Sequence, residues 1–481
     1  MTAQRGNRPG RHSGAGARPP RDRRRGAGSP APPASADAVR SAAFDVLRAV
    51  DEKDSYANLV LPHLLRERGI AGRDAALATE LVYGTLRRLG TYDAILAACL
   101  DRPPDELDPP VLDVVRLGAH QILGTRIPPH AAVGTAVDLA RARVGEGPGK
   151  LVNAVLRRVT AHDLDNWIDQ IAPADGTDPL ERLALQHSHP MWIARALLDT
   201  LGGDIDELAR ALAANNERPA VTLVVRPGRA EVAELLTAGA HALRWSPFGA
   251  ALDGGDPGVI PAVRERRAGV QDEGSQLVAL ALSAAALDRP DERWLDLCAG
   301  PGGKAALLAG LATARGARLL AVEQQSHRAQ LVVRALRADP GGHRVLVADG
   351  REPIAGEEPF DRVLLDAPCT GLGALRRRPE ARWRRQPSDI PALRALQSAL
   401  LRNALSATRP GGLVAYVTCS PHLAETSTIV DDIVAGRGDV ERVDARPYLC
   451  GVPDIGDGPD IQLWPHRHGT DAMYLALLGR R

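Results

Sequence analysis

The sequence has little lysine and almost no net charge. Lysine occurs only at Lys53, Lys150 and Lys304, so arginine supplies nearly all of the 60 basic residues, and 59 acidic residues leave a formal net charge of +1. No overall electrostatic field therefore predicts a nucleic-acid partner. Arginine richness beside abundant alanine is also expected from a GC-rich genome, so by itself it does not indicate RNA binding.

Cysteine is scarce, and long apolar runs are absent. The five cysteines are odd in number, widely spaced and without a CxxC pair, which argues against a disulfide framework or a structural zinc site and favours a reducing compartment.

No apolar run approaches the roughly 18 residues that span a bilayer. The arginine pair near Arg24 precedes no apolar export segment, and His187-Ser188-His189-Pro190 is interpreted as a helix-entry turn because partner metal ligands are missing. We expect a cytoplasmic monomer with no metal and no membrane partner.

Composition divides the chain into four parts. Residues 1–36 are mostly Arg, Gly, Pro, Ser and Ala, and we expect them to be disordered, either as a solvated tail or as an arm that grips RNA phosphates. Residues 37–165 have helical apolar periodicity broken by proline pairs, which predicts a helical bundle. Residues 166–268 predict a linker and a small RNA-facing α/β module, with a helix at Met191–Leu201, a strand at Ala220–Val225 and a helix near Ala230–Ala238.

Residues 269–481 alternate between β-rich apolar runs and helical stretches. Five strands separated by helices predict a parallel, doubly wound sheet, because parallel neighbours need crossover connections. The predicted strands, including two later ones, are Arg293–Leu297, Arg318–Glu323, Arg344–Ala348, Asp361–Asp366, Leu413–Thr418, Asp439–Asp444 and Asp471–Leu478.

A glycine-rich turn follows the first of these strands. Cys298–Lys304 leads into a helix, and Gly300, Gly302 and Ala305 satisfy the loose GxGxxA pattern of nucleotide-binding turns. A Walker phosphate loop is excluded, because Cys298 replaces its first glycine and Ala305 its Ser or Thr.

Acidic residues end the next three strands. Glu323 is predicted to accept from ribose hydroxyls, Asp349 from an adenine amino group, and Asp366 ends the fourth strand. This acidic rim fits S-adenosylmethionine, which carries a sulfonium and an ammonium and no phosphate, and it disfavours the pyrophosphate of NAD.

Three cysteines follow the carboxyl ends of the first, fourth and fifth strands. Because these strands are expected to be neighbours, Cys298, Cys369 and Cys419 should converge, whereas Cys99 and Cys450 are interpreted as small buried apolar residues. A thiolate that adds to carbon 6 of cytosine makes carbon 5 nucleophilic enough to take a methyl group, and Asp366 could contact ring nitrogen 3. Spacing alone leaves open which cysteine attacks.

The motifs together resemble the RNA cytosine-C5 methyltransferases of the Sun/NOL/NOP2 family. They are Asp296–Lys304, Asp366–Gly373 and Thr418-Cys419-Ser420. The resemblance implies that Cys419 attacks, that Cys369 assists release of the RNA, and that Lys304 lies near Asp366 and the substrate. The cofactor residues it implies are Leu297, Cys298, Ala299, Gly300, Pro301, Gly302, Gly303, Glu323, Asp349 and Asp366.

The upstream sequence narrows the resemblance. Glu80–Arg88 and Val152–Arg158 resemble a NusB-like helical domain, whose fusion to this catalytic domain is typical of the RsmB/Sun family acting on 16S rRNA. The implied fold is multidomain: an all-α NusB-like domain, a small RRM-like α/β module, and a Rossmann-like methyltransferase domain with a mostly parallel seven-stranded sheet. The sequence departs from the family pattern at three places. Many relatives have alanine where this sequence has Gly300 and threonine where it has Ala305. Asp471–Tyr474 replaces a DGFF-like run that is common in the family.

Basic residues follow the Cys369 motif. Arg376, Arg377 and Arg382 are predicted to contact RNA phosphates beside Trp383, which is suited to stacking on a base; a solvated charged face is the alternative. The rival functions are the same chemistry on tRNA or another RNA, a noncatalytic RNA-binding or antitermination factor, and an NAD-dependent enzyme. The intact Cys369 and Cys419 argue against the noncatalytic factor.

Overall fold

The computed structural model describes residues 37–172, 178–287, 291–337, 339–449 and 451–481. The predictions made for the tail 1–36 and for Cys450 lie outside these residues. No helix in the described ranges is long and apolar enough to cross a membrane.

The N-terminal part is a helical bundle. Proline pairs begin two of its helices, as the sequence predicts, because proline fits the first turn of a helix and breaks its interior. Leu81, Ile95, Leu117 and Leu156 are fully buried in its shared core. The helices are α1 (Ala38–Lys53), α2 (Ala57–Glu67), α3 (Gly72–Arg87), α4 (Leu89–Cys99), α5 (Pro109–Leu123), α6 (Pro129–Arg143), α7 (Glu146–Val159) and α8 (Leu164–Ile171).

The middle part combines short helices with a small antiparallel sheet in the order β2-β3-β1-β4. The predicted helices and first strand are present, and three short strands are added. The elements are α9 (Pro179–Gln186), α10 (Met191–Thr200), α11 (Ile205–Ala214), β1 (Val221–Val225), α12 (Val232–Thr237), β2 (His241–Ala242), β3 (Gly249–Leu252), α13 (Pro261–Arg264) and β4 (Ala268–Val270). Because β4 pairs with β1, a domain boundary at residue 268 would cut this strand.

The C-terminal part is a doubly wound α/β unit around a large sheet. Its elements are α14 (Glu273–Ala284), β5 (Arg293–Asp296), α15 (Gly303–Thr313), β6 (Arg318–Glu323), α16 (Ser326–Leu336), β7 (Arg344–Val347), β8 (Phe360–Asp366), α17 (Ala381–Arg384), α18 (Ile390–Ala407), β9 (Thr408–Thr418), α19 (Ser427–Ala435), β10 (Val440–Val443), β11 (Ile461–Gln462), α20 (Pro465–His468) and β12 (Tyr474–Arg480).

Strand order in the large sheet is β10-β12-β9-β8-β5-β6-β7, and within the described residues β11 adds an eighth short strand beside β12. The five strands β5 to β9 are parallel, and β12 lies antiparallel between β9 and β10, so β10 runs in the same direction as β5 to β9. The mostly parallel seven-strand path is therefore confirmed, and so is the prediction that the first, fourth and fifth strands are neighbours.

Alternating side chains bury the two faces of the large sheet. Trp294 packs in the core on the face of α14 to α16, and the next residue, Leu295, packs in the core on the face of α18 and α19. This two-residue period is the pleat of a strand that is covered on both faces. The loops at the carboxyl ends of the strands are left to form the site.

Candidate active site

Two cysteines meet at the carboxyl edge of the large sheet. Cys369 lies on the loop after β8, Cys419 directly follows β9, and their Sγ atoms are 3.4 Å apart. The adjacent parallel strands bring the loops together, and the Ala367 amide donates to the Val417 carbonyl oxygen at 2.8 Å. Both cysteines are half-buried, so a substrate can reach them.

Lys304 and Asp366 form an ion pair beside the cysteines. Lys304 lies in the first turn of α15 and Asp366 ends β8, and Nζ donates to Oδ2 at 2.8 Å, which confirms their predicted proximity. Burial lowers the pKa of Lys304. The negative charge of Asp366, and after it those of Cys419 and Asp296, raises the pKa by more than burial lowers it, so the net pKa lies above the usual value. The lysine is therefore an ammonium at neutral pH.

The surrounding charges distinguish the two thiols. The hydrogen bond between the two thiols lowers the pKa of Cys419; burial and Asp366 oppose this, while Lys304 and Arg378 add to it, and the net pKa is lowered. The same bond, burial and the nearby Glu425 all raise the pKa of Cys369. Of the two thiols, Cys419 therefore loses its proton more readily.

Glu425 joins the two cysteine loops, although it belongs to none of the sequence motifs. Its carboxylate is 0% exposed and accepts hydrogen bonds from the Thr370 amide at 2.8 Å, from the Thr370 hydroxyl, and from Gln397 at 3.1 Å. The Thr370 hydroxyl also lies 3.1 Å from that of Ser420. A single acid six residues after Cys419 was the only sequence signal for it.

Gly373 lets three segments approach each other. Its amide donates to the Cys419 carbonyl oxygen at 2.8 Å, and its own carbonyl oxygen accepts from Ala472 at 2.9 Å. A Cβ atom at this position would lie 2.0 Å from the Ala472 oxygen. Glycine is therefore required where the loop after Cys369 contacts the Cys419 loop and the segment before β12.

The loop between β5 and α15 has the shape of a ligand cradle. Gly302 has a φ of 108° and precedes the first residue of α15, a conformation that favours glycine. The Gly300 amide donates to Glu323 Oε2 at 3.0 Å, and a Cβ atom at Gly300 would lie 2.1 Å from that oxygen. Glycine at position 300 thus lets the Glu323 carboxylate reach the loop.

Two further acids lie around this cradle. Asp349, after β7, accepts from Arg351, which lowers the pKa of Asp349, and from Gln324 at 3.2 Å. Asp296 ends β5 and is 1% exposed, and neither of its carboxyl oxygens has a hydrogen-bond partner of ordinary geometry. Burial, and then Asp366, raises the pKa of Asp296 to about 8. Asp296 is therefore mostly a neutral carboxyl group near pH 7 in this structure.

Cys298 does not join the other two thiols. Its side chain packs against the core on the α18 face, whereas Cys419 packs against the core on the α14 face. Burial and then Asp296 hold the pKa of Cys298 well above its usual value. The predicted convergence of three thiols is therefore wrong for Cys298. Cys99 is buried as predicted.

The RNA contacts predicted for Arg376 and Arg382 are wrong. Arg376 is 6% exposed and binds Asp272 and Asp471, and Arg382 is 0% exposed. Neither side chain can reach a phosphate, because both are bound inside the protein. Arg377 binds the same two carboxylates as Arg376, so its contact with RNA stays a prediction.

Sheet order and cradle together define a Rossmann-like methyltransferase fold, and the comparisons with known proteins agree. Residues 284–479 match the family described as 16S rRNA methyltransferase RsmB/F, and residues 37–161 match the NusB family. A putative methyltransferase of Mycobacterium tuberculosis is 52% identical over 446 residues, covering 92% of this chain and 97% of that protein.

A second relative and a solved structure match over the same share of the chain. The probable ribosomal RNA small subunit methyltransferase B of Bacillus subtilis is 30% identical, covering 92% of this chain and 99% of that protein. The crystal structure of PH0851 has a TM-score of 0.76 at 23% identity, covers 92% of this chain and 98% of its own, and shows the same fold. The chain belongs to the RsmB/F family of RNA methyltransferases.

Proposed function

We propose that this protein transfers the methyl group of S-adenosylmethionine to carbon 5 of a cytosine in 16S rRNA, through a covalent bond between Cys419 and carbon 6. The observation that carries the proposal is the contact of Cys419 with Cys369 beside the Lys304–Asp366 pair. The substrate is inferred from the relatives named ribosomal RNA small subunit methyltransferase B.

The cradle is suited to the cofactor. The backbone of Leu297, Cys298, Ala299, Gly300, Pro301, Gly302 and Gly303 would hold it, together with Glu323, Asp349 and Asp366. Bound S-adenosylmethionine supplies a methyl group on a positively charged sulfur. The Glu323 carboxylate, which reaches the loop at Gly300, matches such a cation and would repel a pyrophosphate.

Cys419 begins the reaction as a thiolate. Its sulfur adds to carbon 6 of the cytosine. The π electron pair of the carbon 5–carbon 6 double bond is then shared between carbon 5 and ring nitrogen 3. Asp366, which shares a proton of the Lys304 ammonium at 2.8 Å, contacts ring nitrogen 3 and supplies that proton or a hydrogen bond to it. Carbon 5 is then nucleophilic enough to take the methyl group.

Cys369 acts when the adduct breaks. The proton on carbon 5 leaves to a base, the double bond re-forms, and Cys419 departs as a thiolate, while any proton taken up at ring nitrogen 3 returns to the Lys304–Asp366 pair. The Cys369 thiol at 3.4 Å can donate its hydrogen bond to that departing sulfur. The hydrogen bond with Cys419 and burial keep the pKa of Cys369 high, and Glu425 adds to this, so Cys369 retains the proton that this role needs.

The substrate is tested by bisulfite sequencing of rRNA and tRNA from a strain that lacks the gene, with and without the restored gene. We expect one 16S rRNA cytosine to lose and regain its methyl group. A methyl group lost from tRNA alone would assign the same chemistry to the other substrate. No lost methyl group in any RNA would favour the noncatalytic RNA-binding factor and contradict the proposal.

A further inference from the structure

The segment Arg376–Arg385, here called the junction segment, connects the Cys369 loop to the N-terminal helices. We propose that the helical bundle acts through this segment as a positioning element that holds the Cys369 loop in place for catalysis. The inference rests on the proposed function and deepens it. It gives the bundle a catalytic task besides any contact with RNA.

Charged side chains of the junction segment bind the ends of bundle helices. Glu380 accepts a hydrogen bond at 3.0 Å from the amide of Ala57, the first residue of α2. Arg384 donates to the carbonyl oxygens of Val50 and Ser55, both at 2.7 Å, at the end of α1. An acid at a helix N-terminus and a base at a helix C-terminus each complement the helix dipole.

Arg382 binds three parts of the molecule at once. Its guanidinium donates to the carbonyl oxygens of Arg87 at 2.9 Å, Ser188 at 3.1 Å and Asn215 at 2.8 Å. These oxygens belong to the end of α3, the turn before α10 and the end of α11. A fully buried arginine is costly unless its donors are bound. Both Nη atoms are bound here and Nε is not, so the side chain depends on the three parts being docked.

Trp383 packs into the bundle where a glycine leaves room. A Cβ atom at Gly90 in α4 would lie 2.2 Å from Cη2 of Trp383, so even an alanine there must displace the indole ring. Gly134 in α6 is a matched control, because a Cβ atom there meets no atom within 4 Å. Neither glycine lies near the cysteines in the chain or belongs to the proposed site.

The junction segment returns to the catalytic loop. Arg385 donates from Nε to the carbonyl oxygen of Thr370 at 3.2 Å, and Thr370 follows Cys369 and binds Glu425. At the other end, Arg376 and Arg377 bind Asp272 and Asp471. A displacement of Trp383 would therefore be transmitted to the backbone that carries Cys369.

The experiment compares Gly90→Ala with Gly134→Ala in the full-length protein. For Gly90→Ala we expect kcat for RNA methylation to fall by about tenfold, because small misplacements of reacting groups are costly, while KM for RNA changes by less than about twofold. Gly134→Ala should match the wild type. Adding Trp383→Phe to Gly90→Ala, which shortens the ring that the new methyl group meets, should restore part of the lost kcat.

Other outcomes overturn the inference. A raised KM with unchanged kcat would assign the bundle to RNA selection, and an unchanged kcat and KM in Gly90→Ala would remove the coupling. If Gly90→Ala does not fold, Arg384→Gln tests a second contact of the junction segment with the bundle, the one with the carbonyl oxygens of Val50 and Ser55, and should also lower kcat. Failure of the proposed function is distinguishable, because the wild type would then form no 5-methylcytosine at all.

Discussion

Two groups of basic side chains lie around the cysteine loops, Lys304 beside the thiols in space and the junction segment after Cys369 in the chain, and they have opposite roles. At the sheet edge, Lys304 is half-buried, binds one carboxylate and faces the thiols. In the junction segment, Arg382 is fully buried and binds only carbonyl and amide oxygens of the protein. The comparison shows that a basic residue near a reactive site can contact a ligand only where the fold leaves part of its side chain exposed.

The largest effect on activity is expected from a substitution at the sheet edge. Cys419→Ala should lower methylation by more than about three orders of magnitude, because the covalent step is lost. Cofactor affinity, measured by calorimetry, should stay close to that of the wild type. Cys99→Ala, a buried thiol of the bundle core, is the matched control and should stay active. Full activity of Cys419→Ala would remove the nucleophile from its role.

Cys369→Ala should separate bond formation from bond breaking. Loss of the thiol 3.4 Å from Cys419 leaves the adduct without its neighbouring donor, so a covalent protein–RNA complex should accumulate and turnover should stop. Denaturing gel electrophoresis detects the complex as a shifted band. The double variant with Cys419→Ala should show no such band; a band that persists would place the bond on another residue.

A pH profile sharpens the comparison of the two basic clusters. The Lys304 ammonium helps to lower the pKa of Cys419, so removing it should raise that pKa. For Lys304→Met we expect the midpoint of Cys419 alkylation by iodoacetamide to move upward by about one pH unit. The midpoint should move less in Arg384→Gln, whose charge is in the junction segment. Equal midpoints in wild type and Lys304→Met would contradict the electrostatic account.

The smallest expected effect concerns stability without the cofactor. Burial raises the folded-state pKa of Asp296 to about 8, whereas the unfolded value is near 4. The folded state therefore binds the extra proton, and stability falls as pH rises between these two values. Asp296→Asn should remove this loss and raise the melting temperature at pH 8 more than at pH 5. A pH-independent shift would contradict the assigned pKa.

The sequence predicted the parts of the molecule that obey local rules. Strands β5 to β9 were predicted from short apolar runs, and the loops with Cys369 and Cys419 from their places after strands. Strand β9 begins at Thr408 instead of Leu413, and β12 at Tyr474 instead of Asp471. Asp471 lies outside its strand because it binds Arg376 and Arg377.

The parts that depend on tertiary contacts were not predictable in this way. The sequence around an arginine does not show whether its partner is a phosphate or a carbonyl oxygen. The burial of Arg382 could therefore not be predicted. Glu425 belongs to none of the recognised motifs, and its role arises only when two loops meet. Cys298 follows its strand as Cys419 does, but its side chain packs against the core on the other face of the sheet.

The most direct measurement of the central claim is the site of the covalent bond. A 16S rRNA transcript containing 5-fluorocytidine cannot lose a proton from carbon 5, so the adduct should be trapped after methyl transfer. Incubation with the protein and S-adenosylmethionine, digestion and mass spectrometry then locate the nucleotide. The account predicts a methylated fluorocytidine on the peptide that contains Cys419. A nucleotide on Cys369 or Cys298, or no adduct with an active protein, would contradict it.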